Sequence, residues 1–257
     1  MKVGIMNNPR ALIIDEIKAI GEAGYDFVDL TIEAPKAQTL EIDMTKQFLK
    51  NYHLSVVGHT DPNIPYAYPI KGIRGACLDE FKRCAELFAQ LEAKIMNIHP
   101  SYSCPITMEK SLVDLNIETL GPILETVEAF GLTLVLENFT APFDSVITFR
   151  RMLKELPGLK VHLDFGHGNI GRENGVIFCQ EFQRDIAHVH FSDNRGSDDH
   201  HMPLGVGSID WKGAIQALKS ISYDGGITLE VFSHDPSVRF KYLEISRNLL
   251  NSFWEVL

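Results

Sequence analysis

Short apolar runs alternate eight times along this chain with longer stretches whose apolar residues recur every three or four positions. The short runs read as strands: Lys2–Met6, Phe27–Thr31, Leu54–His59, Ile95–His99, Thr133–Glu137, Val161–Asp164, Ile186–Phe191 and Ile227–Val231. The longer stretches read as helices: Leu12–Ala23, Thr45–Tyr52, Ile73–Leu91, Met108–Phe130, Val146–Glu155, Gly175–Phe182, Trp211–Ser220 and Ser237–Val256. Phe81, Cys84, Ala85, Leu87, Phe88 and Leu91 show the helical spacing in one of them. Glycine and proline mark the returns from helix to strand, as in Glu22-Ala23-Gly24-Tyr25, Phe130-Gly131 and Leu156-Pro157-Gly158. Strict alternation implies parallel strands joined by right-handed crossovers. Eight units predict closure into a single (β/α)8 barrel, the TIM-barrel architecture, over residues 1–257. The competing open, doubly wound sheet would carry a glycine-rich GxGxxG turn after its first strand, and this chain has none there. No linker or low-complexity tract interrupts the pattern, so one domain is expected. The longest loop runs from about Ser192 to Ile209, a length that usually signals function.

Composition narrows the setting. Apolar residues make up 45% and charged residues 23%, ordinary for a globular chain of 257 residues. The net charge of −10 weighs against a surface built to grip nucleic acid, whose phosphates call for Lys and Arg. It does not exclude a small basic patch. Cys77, Cys84, Cys104 and Cys179 show no paired spacing and read as buried apolar residues of a reduced compartment. The opening MKVGIMNNPR enters a strand at once, without the apolar core of a signal peptide, and no run is long enough to span a membrane. A cytoplasmic location is the expectation.

The strand ends carry the chemistry. The third strand ends at His59, the fourth at His99, the fifth at Glu137, the sixth at Asp164 with His167 just beyond, the seventh at His190 and the eighth at Glu230. In a (β/α)8 barrel these ends form one ring around the mouth where active sites sit. Alternation at spacing two aims them inward: Val57 with His59, Val135 with Glu137, His162 with Asp164, Thr228 with Glu230. One such residue is more often solvated or hydrogen-bonded than a ligand. Carboxylates inside apolar runs such as TLVLEN and GGITLEVF are harder to explain without a cation, because an unpaired buried charge costs several kcal/mol. Glu137, Asp164, His190 and Glu230 would make an oxygen-rich site suited to Mn²⁺ or Mg²⁺. Adding His59, His99, His167, Asp198 and His200 as ligands would favour Zn²⁺ and two or three metals.

LENF, the Asp-Phe-Gly-His of 164–167, HVHFSDN and DDHHMPLGVGSIDW, in this order, resemble the xylose-isomerase-like barrel superfamily, which holds sugar-phosphate isomerases and epimerases and also endonuclease IV. The likeness covers essentially the whole chain. From its ketose 3-epimerase branch it implies one metal on Glu137, Asp164, His190 and Glu230. Glu137 and Glu230 would double as an acid/base pair on opposite faces of the sugar, working through a metal-stabilised enediolate. The resemblance also implies substrate binding by His167 and by an Arg after the metal His, for which Arg195 is the candidate. Glu33, at the end of the second strand, suits hydrogen bonds to sugar hydroxyls and would repel a phosphate backbone; read blandly, it is a solvated loop charge.

The endonuclease IV side of the resemblance implies three zinc ions: one on His59, His99 and Glu137, one on Glu137, Asp164, His190 and Glu230, and one on His167, Asp198 and His200. That reading, a zinc phosphodiesterase acting on abasic DNA, is the alternative. The corresponding loops read TIEAPKAQ and HTDPNIPY, with no Arg-aromatic wedge of the kind such an enzyme pushes into DNA after the second strand, and DHHMPLG carries an extra residue relative to the nuclease pattern. The preferred function is therefore a metal-dependent sugar or sugar-phosphate isomerase/epimerase of carbohydrate metabolism, with a small sugar as partner. A barrel that only binds a ligand is a third reading. Related barrels often form dimers or tetramers, but no interface is legible here. Among other residues, His188 reads as a hydrogen-bonded core residue, Asp210 as a helix cap, Gly205 and Gly207 as loop geometry, and Tyr66 and Tyr68 as a lid over the mouth.

Overall fold

The computed structural model describes residues 1–33, 40–102 and 111–256. Eight strands close into a barrel in chain order. They are β1 Lys2–Met6, β2 Phe27–Thr31, β3 Ser55–His59, β4 Ile95–Ile98, β5 Thr133–Glu137, β6 Lys160–Asp164, β7 Ile186–Phe191 and β8 Gly226–Leu229. All neighbours pair parallel, and β1 closes the ring against β8. The described helices are α1 Ile13–Glu22, α2 Ile42–Asn51, α3 Lys71–Gln90, α4 Leu112–Ala129, α5 Val146–Glu155, α6 Phe165–Ile170, α7 Gly175–Phe182, α8 Trp211–Ser220 and α9 Pro236–Val256.

Most predicted boundaries stand within one or two residues. α2 starts three residues before its expected start at Thr45, while β4 stops at Ile98 and β8 at Leu229, each short of its functional residue. α4 begins where Ser111 caps it: the Ser111 side chain accepts the amide of Asp114, and Asp114 reaches back to Ser111. The predicted start at Met108 lies outside the described residues, as does Cys104. α6 has no counterpart among the predicted elements. Six residues with two glycines give no readable period, and the helix exists because the Asp164 side chain accepts the His167 amide at its first turn.

The main apolar core lies outside the sheet. Leu30, Ile98, Leu136, Leu163, Val189 and Leu229 point outward and are buried beneath helices that contribute Ile17, Phe81, Phe88, Phe149, Phe178 and Ile215. Full burial of each such side chain contributes about 1.5–3 kcal/mol. The inside is different. Phe27 fills the barrel floor, where Gly4 admits it: a Cβ on Gly4 would lie 2.3 Å from the Phe27 ring. Above it the register places Asp29, His59, Asn97, Glu137, His162, Asp164, His188, His190 and Thr228 on the inward face. The register between β6 and β7 slips by one residue, pairing Val161 with Ile186 but His162 with His188. That irregularity aligns the His162/Asp164 face with the His188/His190 face.

Candidate active site

Four consecutive strands bring Glu137, Asp164, His190 and Glu230 together. Each is at most 8% exposed. Ligand-capable atoms of Glu137, Asp164 and His190 lie within 4.8 Å of one another. Glu230 joins through its Oε2, 3.1 Å from His190 Nδ1. One residue past β8, Glu230 is held by its amide, which donates to the Phe191 carbonyl. Asn138 ties β5 to β6: its side chain accepts the Asp164 amide at 2.7 Å and donates to the Asp164 carbonyl at 2.9 Å.

The proton inventory shows why these residues fit a divalent cation. His190 Nε2 lies 2.7 Å from Asp29 Oδ2, and an ionised carboxylate can only accept, so Nε2 carries the proton. His190 Nδ1 then faces Glu230 Oε2 at 3.1 Å and Asp164 Oδ2 at 3.8 Å. Two acceptors at such a distance need a proton or a cation between them. Burial alone would lower the His190 pKa, but the charge and hydrogen bond of Asp29 and the contact with Glu230 raise it well above the ordinary imidazole value. Without a metal, a second proton therefore occupies Nδ1. Asp164 tells the same story. Burial and the charges of Glu137 and Glu230, against the pull of His167 and His190, push its carboxyl up to about 7, and its Oδ2 is buried with no hydrogen-bond partner. Glu137 is held well below its usual value because His162, His99 and His167 outweigh the cost of burial. Three carboxylates and one imidazole with an unpaired oxygen among them form a hard, oxygen-rich donor set.

Asp29 joins the site from β2. It is fully buried in β2 and accepts at one oxygen from His190, from Thr228 Oγ1 at 2.8 Å and from His188 Nε2 at 3.1 Å. Its other oxygen is 3.4 Å from His59 Nδ1. Burial would raise its pKa; His190, His188 and His59 together hold it well below the carboxylate range. The signal was present, since FVDLT places a carboxylate inside an apolar strand as TLVLE does. His188 is the hydrogen-bonded core residue expected.

His59, His99 and Glu137 also come within 4.8 Å of one another. His99 Nε2 is 3.3 Å from Glu137 Oε2, and Asn97 donates to the same oxygen at 2.6 Å. The expected grouping of His167 with Asp198 and His200 needs correction. Asp198 and His200 are exposed, and Asp199 and His201 turn inward in their place. Asp199 Oδ2 bridges His167 Nε2 at 3.3 Å and His201 Nε2 at 3.0 Å. The shift by one residue follows from the loop's anchoring. Asp193 and Met202 exchange backbone hydrogen bonds at 2.9 and 2.8 Å, the His201 carbonyl accepts the Phe232 amide, and His201 sits at φ 47°. The positive φ breaks the alternation that spacing assumes.

A cavity of about 320 Å³ opens above these groups. Glu33, His59, Asn63, His99, His167, Asp199, His201 and Glu230 supply its polar lining, with Tyr102, Phe139 and Phe232 as aromatic wall. Glu33 accepts a hydrogen bond from Thr31 Oγ1. Arg195 is exposed and lies outside this lining. Tyr66 corrects the lid expectation, for it is 1% exposed and packs edge-on against Phe81 in the core. Tyr68 is half-buried and also outside the lining. Gly205 and Gly207 serve loop geometry as expected: the Gly205 amide donates to Asp193, and a Cβ on Gly207 would collide with Asp193 and Asn194.

Comparison with known proteins agrees with this architecture. An uncharacterised protein of Methanocaldococcus jannaschii is 26% identical over 256 residues, covering 91% of this chain and 85% of that protein. An L-ribulose 3-epimerase of Methylomonas sp. strain DH-1 is 26% identical over 235 residues, covering 85% of this chain and 78% of the enzyme. Among solved structures, a D-tagatose 3-epimerase-like protein superposes with a TM-score of 0.84 at 24% identity, over 97% of this chain and 100% of that one, which shows the shared fold. Among the described residues, no helix is long and apolar enough to cross a membrane. The family model for xylose isomerase-like TIM barrels matches residues 17–251, and the chain belongs to that family.

Proposed function

We propose that this protein is a divalent-metal-dependent ketose epimerase that inverts the carbon next to the carbonyl. The observation that carries the reading is the four-strand cluster itself: Glu230 lines a polar, aromatic-walled cavity, and Glu137, Asp164 and His190 are clustered with it, Glu137 in contact with the lining residues His99 and His167. The relationship to an L-ribulose 3-epimerase supports it. A divalent ion held by these four residues would supply positive charge for the enediolate that proton loss creates. The chain's own groups do the rest. Glu137 and Glu230 come from strands on either side of Asp164 and His190, Glu230 lining the cavity and Glu137 lying beneath its His99 and His167, so one carboxylate would take the proton from one face of the sugar and the other would return it to the opposite face. Acid–base help of this kind is worth about 10²–10⁴-fold. Asp29 keeps the proton of His190 on Nε2 and so leaves Nδ1 free as a ligand. His167, whose Nδ1 donates to the Asn138 carbonyl, and Glu33 offer hydrogen bonds to sugar hydroxyls.

A second reading rests on the His59–His99–Glu137 grouping, which would hold a further metal and suit phosphodiester hydrolysis. Against it, no Lys or Arg lines the mouth cavity among the described residues, whereas Glu33, Asp199 and Glu230 do. The test is a panel of free ketopentoses and ketohexoses given to the metal-loaded protein, with product epimers read by NMR. The proposal expects one or more ketoses to be converted, and conversion to fall at least about 100-fold in Glu230→Gln at unchanged thermal stability. A protein inert on every ketose but able to cleave abasic DNA would replace it with the second reading.

A further inference from the structure

We infer that the sugar acted on carries a second polyhydroxylated group, a glycosyl or similar polyol substituent, which occupies a cavity beside the mouth. This rests on the sugar reading of the mouth itself. The second cavity has about 400 Å³, more than the 320 Å³ of the first. The two share Phe139, His167 and Asp199, so a ligand lying in one meets the other at that boundary. A monosaccharide has no need of both.

The lining of the second cavity has the character of a sugar subsite. Phe139, Ala141 and Ile170 supply apolar surface for the C–H face of a pyranose ring. Asp144, Asp198 and Asp199 supply acceptors for its hydroxyls. Asp144 is the telling residue, being only 6% exposed. One of its oxygens accepts the Arg172 amide at 3.1 Å, and the other has no hydrogen-bond partner. Asp199 is in the same condition: its Oδ2 is taken by His167 and His201, while its Oδ1 is buried and unpartnered. A buried carboxylate oxygen left without a donor is unfavourable by about 1–3 kcal/mol or more. Both residues line this cavity, and a ligand rich in O–H donors would supply what these oxygens lack once it displaced the surface over them. An anionic substituent such as a phosphate would face three carboxylates here, so the neutral polyol is the class that fits.

The experiment compares fructose with 1-O-glucosyl-fructose and 6-O-glucosyl-fructose on the metal-loaded protein, following exchange of the sugar C3 proton with solvent deuterium. The proposal expects kcat/KM for one of the glucosyl sugars to exceed that for fructose at least tenfold. Filling the second cavity by Ser197→Trp, or independently by Ile170→Trp, should bring that ratio to about one through loss on the glucosyl sugar. Either variant that loses its fold is recognised by circular dichroism, and the other then decides. Exchange on fructose equal to or faster than on both glucosyl sugars overturns the second subsite and leaves the epimerase reading standing. Exchange on none of the three, with other free ketoses also inert, overturns both.

Discussion

Asp29 and His190 show how far a single hydrogen bond reaches. With Asp29 accepting from Nε2 at 2.7 Å, His190 is held in the tautomer and ring orientation a metal requires. Replacing Asp29 by Asn, which can donate as well as accept, should weaken divalent-metal binding about 10–100-fold in a calorimetric titration while circular dichroism stays native. Unchanged affinity would remove Asp29 from the metal's support. The same residues set a pH dependence. In the metal-free protein His190 is raised well above the ordinary imidazole value and Asp164 to about 7, so an incoming cation displaces a proton from His190 and, increasingly as pH falls below neutrality, one from Asp164. Metal affinity should therefore rise as pH rises through neutrality, and titrations in buffers of different ionisation enthalpy should show protons released. Glu137, Asp164 and Glu230 stand out in the sequence because a carboxylate at the end of an apolar strand has few inexpensive explanations, and His190 falls at the same place on the strand between the last two. Asp29 carries the same signal in mid-strand, and only the closed barrel shows that its face meets His188 and His190. The pair Asp199 and His201 was not separable from Asp198 and His200 by spacing, because DDHH contains the same interval twice.

The loop after β7 illustrates how an element without regular structure can still be held firmly. Asp193 accepts from the amides of Asn194, Gly205 and Ile209 and from Trp211 Nε1 at 2.9 Å. These bonds, with the Asp193–Met202 bridge, hold the segment that carries Asp199 and His201 against the cavity. Asp193→Ala should leave several donors unpaired at about 1–3 kcal/mol each where they stay buried. Hydrogen exchange at the Gly205 and Ile209 amides should accelerate, and KM for the sugar should rise more than kcat falls. Native protection of those amides in the variant would show that the loop is held by something else. Strands and long helices could be read from apolar period alone, because their packing repeats it. This loop and α6 could not: their conformation depends on single side chains, Asp193 and Asp164, bonding backbone groups at short range.

At the scale of the whole molecule, the last helix secures the seam where the barrel closes. Arg239 of α9 is 2% exposed, pairs with Glu16 of α1, and donates to the carbonyls of Met6 and Val231. It thereby joins the ends of β1 and β8, which flank Glu230. Arg239→Ala leaves the Glu16 carboxylate buried without its cation and should cost about 3–5 kcal/mol in a urea titration. A loss under 1 kcal/mol would mean that the seam is held by strand pairing alone. The barrel's inverted economy, apolar outside under the helices and polar within, leads back to function, since an interior of this kind is unfavourable unless its groups satisfy one another and a bound cation. The most direct test of that account is to incubate the metal-loaded protein with a ketose substrate in deuterium oxide and locate the deuterium by NMR. Deuterium is expected at C3, in both the substrate and its epimer, and nowhere when Glu137→Gln and Glu230→Gln are combined. Label at C1 alone would make the protein an aldose–ketose isomerase, and epimer formation without label at any carbon would contradict proton transfer by these two glutamates.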